Sequence, residues 1–146
     1  MANADPISIL LIEDDEVDVM AVERTLSRSG VPHRLFRTEN GCDALEQLRG
    51  GQLPATDLIL LDLNMPRMGG LEFLRRLRAD PALANIPAFV LTTSNRSEDM
   101  EDSERLGAAG YFLKDQFSSD PGQLQQLLRR FRELSQARAQ AEAPRP

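Results

Sequence analysis

Short apolar runs alternate along the chain with stretches whose apolar residues recur every three or four positions. The runs predict strands at Ser8–Ile12, His33–Thr38, Leu58–Leu61, Ala88–Leu91 and Tyr111–Leu113. Five strands alternating with helical patterns are the signature of a doubly wound α/β sheet. Ile9–Ile12 and Leu58–Leu61 carry no polar interruption, which suits parallel strands covered on both faces. Such sheets take their ligands beyond the carboxyl ends of the strands.

The intervening periodicity predicts five helices. The first runs from Val17 to Ser29, buries Met20 and Leu26, and stops at Gly30, the residue type suited to a left-handed terminus. The second covers Gly41 to Leu48 and closes at Gly50-Gly51. The third follows Gly69-Gly70, with Leu71, Leu74 and Leu77 along one face and Arg75, Arg76 and Arg78 turned to water. The fourth, Glu98 to Leu106, holds mainly Met100 and Leu106 among five acids and is expected to be loosely held. The fifth starts at Asp120-Pro121, a capping residue followed by a first-turn proline, and presents Leu124, Leu127, Leu128, Phe131 and Leu134 at helical spacing. Residues 1–135 read as one domain. Residues 136–146 have strong helix formers but no apolar stripe, and are expected to be a frayed helix or disordered tail.

A chain of 146 residues is long enough for one ordinary core. Its 23 acidic residues against 17 basic ones, a net charge of -6, argue against a nucleic-acid partner, whose phosphates would need neutralising. Cys42 is the single cysteine, which excludes an intramolecular disulfide and fits a reducing cytoplasm. Met1 to Pro6 lacks signal-peptide features and no apolar run is long enough to span a bilayer. A soluble cytoplasmic protein without a membrane partner is expected.

The chemistry gathers at strand ends. Glu13-Asp14-Asp15 closes the first apolar run and Asp62 closes the third. Carboxylates in one cleft repel one another unless a divalent cation neutralises them. Mg²⁺ fits, because it needs only one or two protein carboxylates and completes its shell with water and phosphate oxygens. Dinucleotide binding is disfavoured: no Gly-x-Gly-x-x-Gly follows the first strand, and its acids would repel a pyrophosphate. His33 is a strand residue, since a lone histidine cannot build a metal cluster.

The string Asp62-Leu63-Asn64-Met65-Pro66 with Gly69-Gly70 after it resembles the phosphoacceptor loop of two-component response-regulator receiver domains, and Glu13-Asp14 resembles their acidic pair. The resemblance extends from about Ile7 to Leu134. It implies a flavodoxin-like receiver fold with strand order 2-1-3-4-5, and Asp62 as the nucleophile that takes a phosphoryl group from a histidine kinase. It further implies Mg²⁺ held by Asp14 and Asp62, by Glu13 directly or through water, and by the backbone carbonyl of Asn64. Thr92 takes the position of the hydroxyl that bonds the phosphoryl oxygen, and Tyr111 that of the switching aromatic. Lys114, the single lysine, takes that of the cation that pairs with carboxylate before phosphorylation and with phosphoryl afterwards. Asp15 has no place in this ligand set and reads as a helix-proximal charge. Asp18 reads as a capping or solvated residue, and Thr93 and Ser94 as loop-serving hydroxyls.

One position departs from the pattern: receivers usually carry proline after the lysine, whereas Asp115 follows Lys114, so the loop to Phe117 is expected to run differently. Single-domain receivers that work with phytochrome-type kinases are similar in this respect. Output is expected through contact, either a homodimer through helix four, strand five and helix five, where Phe112, Phe117 and the helix-five stripe offer apolar area, or a downstream phosphotransfer protein. Two other functions compete with this one. A phosphohydrolase with an aspartate nucleophile needs Asp-x-Asp, and Asn64 occupies the second acid's position. A receiver fold used only for binding, never phosphorylated, is the other.

Overall fold

A computed structural model of the chain describes residues 5–51 and 55–142. Strands β1 (Ile7–Ile12), β2 (His33–Thr38), β3 (Leu58–Leu61), β4 (Ala88–Thr92) and β5 (Gly110–Leu113) alternate with helices α1 (Glu16–Ser29), α2 (Gly41–Gly50), α3 (Gly70–Ala79), α4 (Ser97–Arg105), α5 (Lys114–Ser119) and α6 (Pro121–Glu142). The sheet order is β2-β1-β3-β4-β5, with every neighbouring pair parallel. This is the α/β doubly wound architecture expected.

Strand alternation sorts the core into two layers. Ile9, Leu11, Leu58 and Leu60 point to the side covered by α1, α5 and α6, where they meet Val22, Leu26, Phe117, Leu124 and Leu128. Leu10, Ile12, Ile59 and Leu61 point to the side of α2 and α3, where they meet Leu45, Phe73, Leu74 and Leu77. Because β1, β3 and β4 are flanked on both edges and covered on both faces, the acids that follow them have a rigid base.

Several sequence expectations are corrected. Met20 is 57% exposed: the stripe of α1 that meets the sheet is Val19, Val22 and Leu26, and Met20 lies a hundred degrees off it. Arg78 is not solvated. It is half-buried, and its guanidinium donates to the carbonyls of Ala84 (2.9 Å), Ile86 (2.8 Å) and Gly107 (2.7 Å), tying the loop before β4 to the loop before β5. Met100 is exposed, and the one buried residue of α4 is Ser103, so α4 adds no fully buried apolar side chain to either layer.

The segment after β5 forms the short helix α5 that the sequence reading lacked. Phe117 is its anchor, buried against the edge of Phe112 with ring centroids 5.9 Å apart. Without a proline after Lys114 the backbone can close helical bonds, such as that from Asp120 N–H to the Gln116 carbonyl at 2.8 Å. Phe112, Phe117, Leu124, Leu127 and Leu128 are buried in the core, while Phe131 and Leu134 of the same stripe stay partly exposed. The helix expected as the fifth is α6. It continues through Glu142, where Ala, Gln and Arg propagate a helix already nucleated on the core. Residues 143–146 of the expected tail lie outside the described residues.

Candidate functional site

Register builds the pocket. Ile12 pairs with Leu61 across β1 and β3, so Glu13 and Asp62 are each the next residue on adjacent strands. The Asp62 N–H donates to the Ile12 carbonyl at 3.2 Å and the Glu13 N–H to the Thr38 carbonyl at 3.0 Å, which fixes both backbones. Glu13 and Asp62 are buried at 3% and 6% exposure, while Asp14 is open to solvent. One carboxylate oxygen from each of Glu13, Asp14 and Asp62 lies within 4.8 Å of the others. Three hard oxygen donors at that spacing, two of them buried, fit a divalent cation.

Lys114 enters from the far side. Thr92 pairs with Leu113 across β4 and β5, so Lys114 leaves β5 beside the end of β4 and its side chain reaches the acids of β1 and β3. Its Nζ stands 2.8 Å from Glu13 Oε1, 3.2 Å from Asp62 Oδ2 and 2.6 Å from Asp18 Oδ2. Burial alone would lower its pKa, but the hydrogen bonds to Asp18 and Glu13 and the charge of Asp62 outweigh that and hold it well above an ordinary lysine. Burial also raises the Glu13 carboxyl, an effect that the Lys114 hydrogen bond and the N–H of Asp15, donating to Oε2 at 3.2 Å, only partly offset. The internal ammonium thus stands in for part of the positive charge the pocket lacks.

The loop after Asp62 is held by close approach. The Gly70 N–H donates to the Leu63 carbonyl at 3.0 Å, and a Cβ on Gly70 would fall 2.6 Å from the Asp62 carbonyl oxygen and 2.7 Å from Leu63 Cα. Only glycine permits that contact. Asn64 is exposed, and its backbone N–H donates to Asp62 Oδ1 at 3.3 Å.

Thr92 is fully buried at the end of β4, where its Oγ1 accepts the Ser94 N–H at 3.4 Å. Tyr111 is half-buried and donates its hydroxyl to the Ser94 carbonyl at 2.7 Å. Burial raises its pKa, opposed by the Ser94 hydrogen bond. The Ser94 hydroxyl in turn bonds Asp99 of α4 at 2.5 Å, so Thr92, Ser94, Tyr111 and α4 form one connected set. No direct hydrogen bond joins this set to Asp62 among the described residues.

Two participants were missed by the sequence reading. Asp18 is not simply a cap or a solvated charge. Asp15 is the cap, accepting the N–H groups of Val17 (2.8 Å) and Asp18 (3.3 Å), and Asp18 is thereby aimed at Lys114. Its place three residues after a capping carboxylate was the available signal. Arg37 of β2 donates from Nε to the Glu13 carbonyl at 3.0 Å and from Nη2 to the Asp14 carbonyl at 3.1 Å, clamping the acidic loop from behind. A cation in a strand is ambiguous without knowing its neighbour, so no local pattern marked it.

Comparison with known proteins agrees with this geometry. The family model described as "Response regulator receiver domain" matches residues 9–129. The chain is 36% identical over 113 residues to response regulator Rcp1 of Synechocystis sp., covering 75% of this chain and 77% of that protein. Among solved structures, the Mn²⁺-bound form of response regulator Rcp1 superposes with a TM-score of 0.73 at 35% identity, covering 80% of this chain and 91% of that one. The phosphorylated cyanobacterial phytochrome response regulator RcpA superposes with a TM-score of 0.71 at 32% identity, covering 92% of each.

Proposed function

Because the chain belongs to the response regulator receiver domain family, a family of phosphoacceptors rather than turnover enzymes, we propose that Asp62 is the carboxylate that receives the phosphoryl group, from a phosphohistidine on a sensor kinase. One observation supports this above the others: the sole lysine of the chain reaches across β4 to place its ammonium on Asp62 and Glu13.

In the reaction an Asp62 carboxylate oxygen attacks phosphorus, the P–N bond breaks with its electron pair returning to the imidazole, and an acyl phosphate remains. Lys114 neutralises part of the charge on the transferring oxygens and keeps Asp62 oriented through Oδ2. The Asn64 N–H orients the other oxygen, Oδ1. Glu13, Asp14 and Asp62, with the Asn64 carbonyl, would hold Mg²⁺, which would supply further neutralisation of the phosphoryl oxygens. The Mn²⁺-bound form of Rcp1 supports a divalent ion here.

The new charge on Asp62 draws the Thr92 hydroxyl inward at the cost of its weak 3.4 Å bond from Ser94, and Tyr111 and α4 follow through Ser94. The signal leaves by contact at the α4, β5 and α6 face, either to a second copy of the chain or to a downstream phosphotransfer protein. The phytochrome association of RcpA makes a phytochrome-type kinase in the cytoplasm the partner we favour. No helix among the described residues is long and apolar enough to cross a membrane.

Incubation with acetyl phosphate and Mg²⁺ followed by intact mass tests the reading. Wild type should gain a single phosphate that Asp62→Asn lacks. Equal gain by the variant, or none by wild type, contradicts it.

A further inference from the structure

We propose that Asp18 is a positioning residue for Lys114, one that holds the ammonium in the pocket while Asp62 changes from carboxylate to acyl phosphate. The inference rests on the receiver reading and extends it to a residue that reading does not use. An ammonium has three donors and no acceptor. Lys114 sets its ammonium among carboxylates from three separate elements: Asp18 of α1 at 2.6 Å, Glu13 after β1 at 2.8 Å and Asp62 after β3 at 3.2 Å.

The shortest of these contacts is to the one partner outside the three-carboxylate cluster. Glu13, Asp14 and Asp62 converge within 4.8 Å, and Asp18 is not among them. Phosphorylation consumes the Asp62 partner and a cation competes for Glu13. Asp18 alone has no second duty, so its charge-assisted bond can persist through the whole cycle. Its backbone is fixed for that purpose by the Asp15 cap, which accepts the Asp18 N–H at 3.3 Å.

Without Asp18 the lysine has somewhere else to go. A cavity of about 20 Å³ beside it runs from Glu13 and Asp18 toward Ala21, Leu91, Phe117 and Ser118, on the side away from Asp62. The four-carbon stem of lysine has rotatable bonds, so once the 2.6 Å contact to Asp18 is lost the ammonium can swing toward this space, keeping Glu13 and loosening its longer 3.2 Å contact to Asp62.

The test compares wild type with Asp18→Asn and Asp18→Glu. With lysine ¹⁵N-labelled at Nζ, the single lysine gives one ammonium signal, visible only when hydrogen bonds slow its exchange with water. At fixed pH that signal should be present in wild type, broadened away in Asp18→Asn and recovered in Asp18→Glu. Phosphorylation by acetyl phosphate with Mg²⁺, followed by intact mass, should slow about five- to tenfold in Asp18→Asn, the size expected for one lost charge-assisted bond. Asp18→Glu should regain most of the rate, and Mg²⁺ affinity by calorimetry should not fall in either.

An Asp18→Asn protein with the wild-type signal and rate would show an ordinary surface ion pair and overturn the proposal. Slowing accompanied by an equal loss of Mg²⁺ affinity would overturn it too, because Asp18 would then act on the metal. If wild type takes up no phosphate, the receiver reading fails and takes the proposal with it; if wild type is phosphorylated and the variants match it, the proposal fails alone.

Discussion

Glu13 carries opposing influences: burial pushes its carboxyl up, and the ammonium of Lys114 pulls it part of the way back. A folded-state value above the ordinary 4.5 means the folded protein holds that proton more tightly than the unfolded chain does. Stability owed to Glu13 therefore falls as pH rises from 4.5 through the folded value and levels off beyond it. In chelator, the unfolding free energy of wild type minus that of Glu13→Gln should decline over that interval by urea denaturation; a flat difference would contradict the burial argument. Lys114 acts elsewhere on the pH scale. Its value is raised above the ordinary 10.5, so its contribution is complete below 10.5 and is lost only as pH rises through the folded value. Changes between pH 5 and 9 thus cannot be assigned to the lysine.

Gly70 shows how an element positions a site. Helix α3 starts so close to the Asp62–Leu63 backbone that a Cβ would sit 2.6 Å from a carbonyl oxygen, a contact neither backbone can relieve without moving. Gly70→Ala should cost about 1–3 kcal/mol by urea denaturation, as overpacking does, and slow phosphate uptake because the Asp62 loop shifts with it. Unchanged stability would mean that α3 has slack the structure does not suggest. Elements with strong apolar patterns, β1, β3 and α3 above all, were legible in the sequence because their burial leaves a local trace. Those whose placement depends on a distant partner were not. Helix α5 forms because Phe117 finds Phe112 in the core, and Arg78 is drawn inward by carbonyls supplied from two other loops. Asp18 became part of the site only when Lys114, 96 residues away, reached it.

At the scale of the whole molecule, a parallel sheet whose acids leave adjacent strands binds a cation only when folded, which couples the ion to stability. Mg²⁺ at a hundred times its dissociation constant should add about 2.7 kcal/mol. Calorimetric melting with and without chelator should reveal that gain in wild type and its near loss in Asp14→Asn, whose removed carboxylate is exposed and unneeded by the core. Equal gain in both would move the ion elsewhere. The global topology was readable because five strand signals in alternation admit few folds, and the acid pair at two of their ends marked the working edge. Its wiring to α4 through Ser94 and Asp99 was not readable, since serine and aspartate beside a helix start serve caps more often than relays. The central claim is that one carboxylate, at the end of β3, carries the phosphate. Borohydride reduces an acyl phosphate to the primary alcohol, so phosphorylated protein treated in this way and fragmented by mass spectrometry should carry homoserine at position 62 and at no other acid. Homoserine at 14 or 18, the one-methylene-longer alcohol 5-hydroxynorvaline at 13, or an unmodified Asp62 in phosphorylated protein would contradict the account.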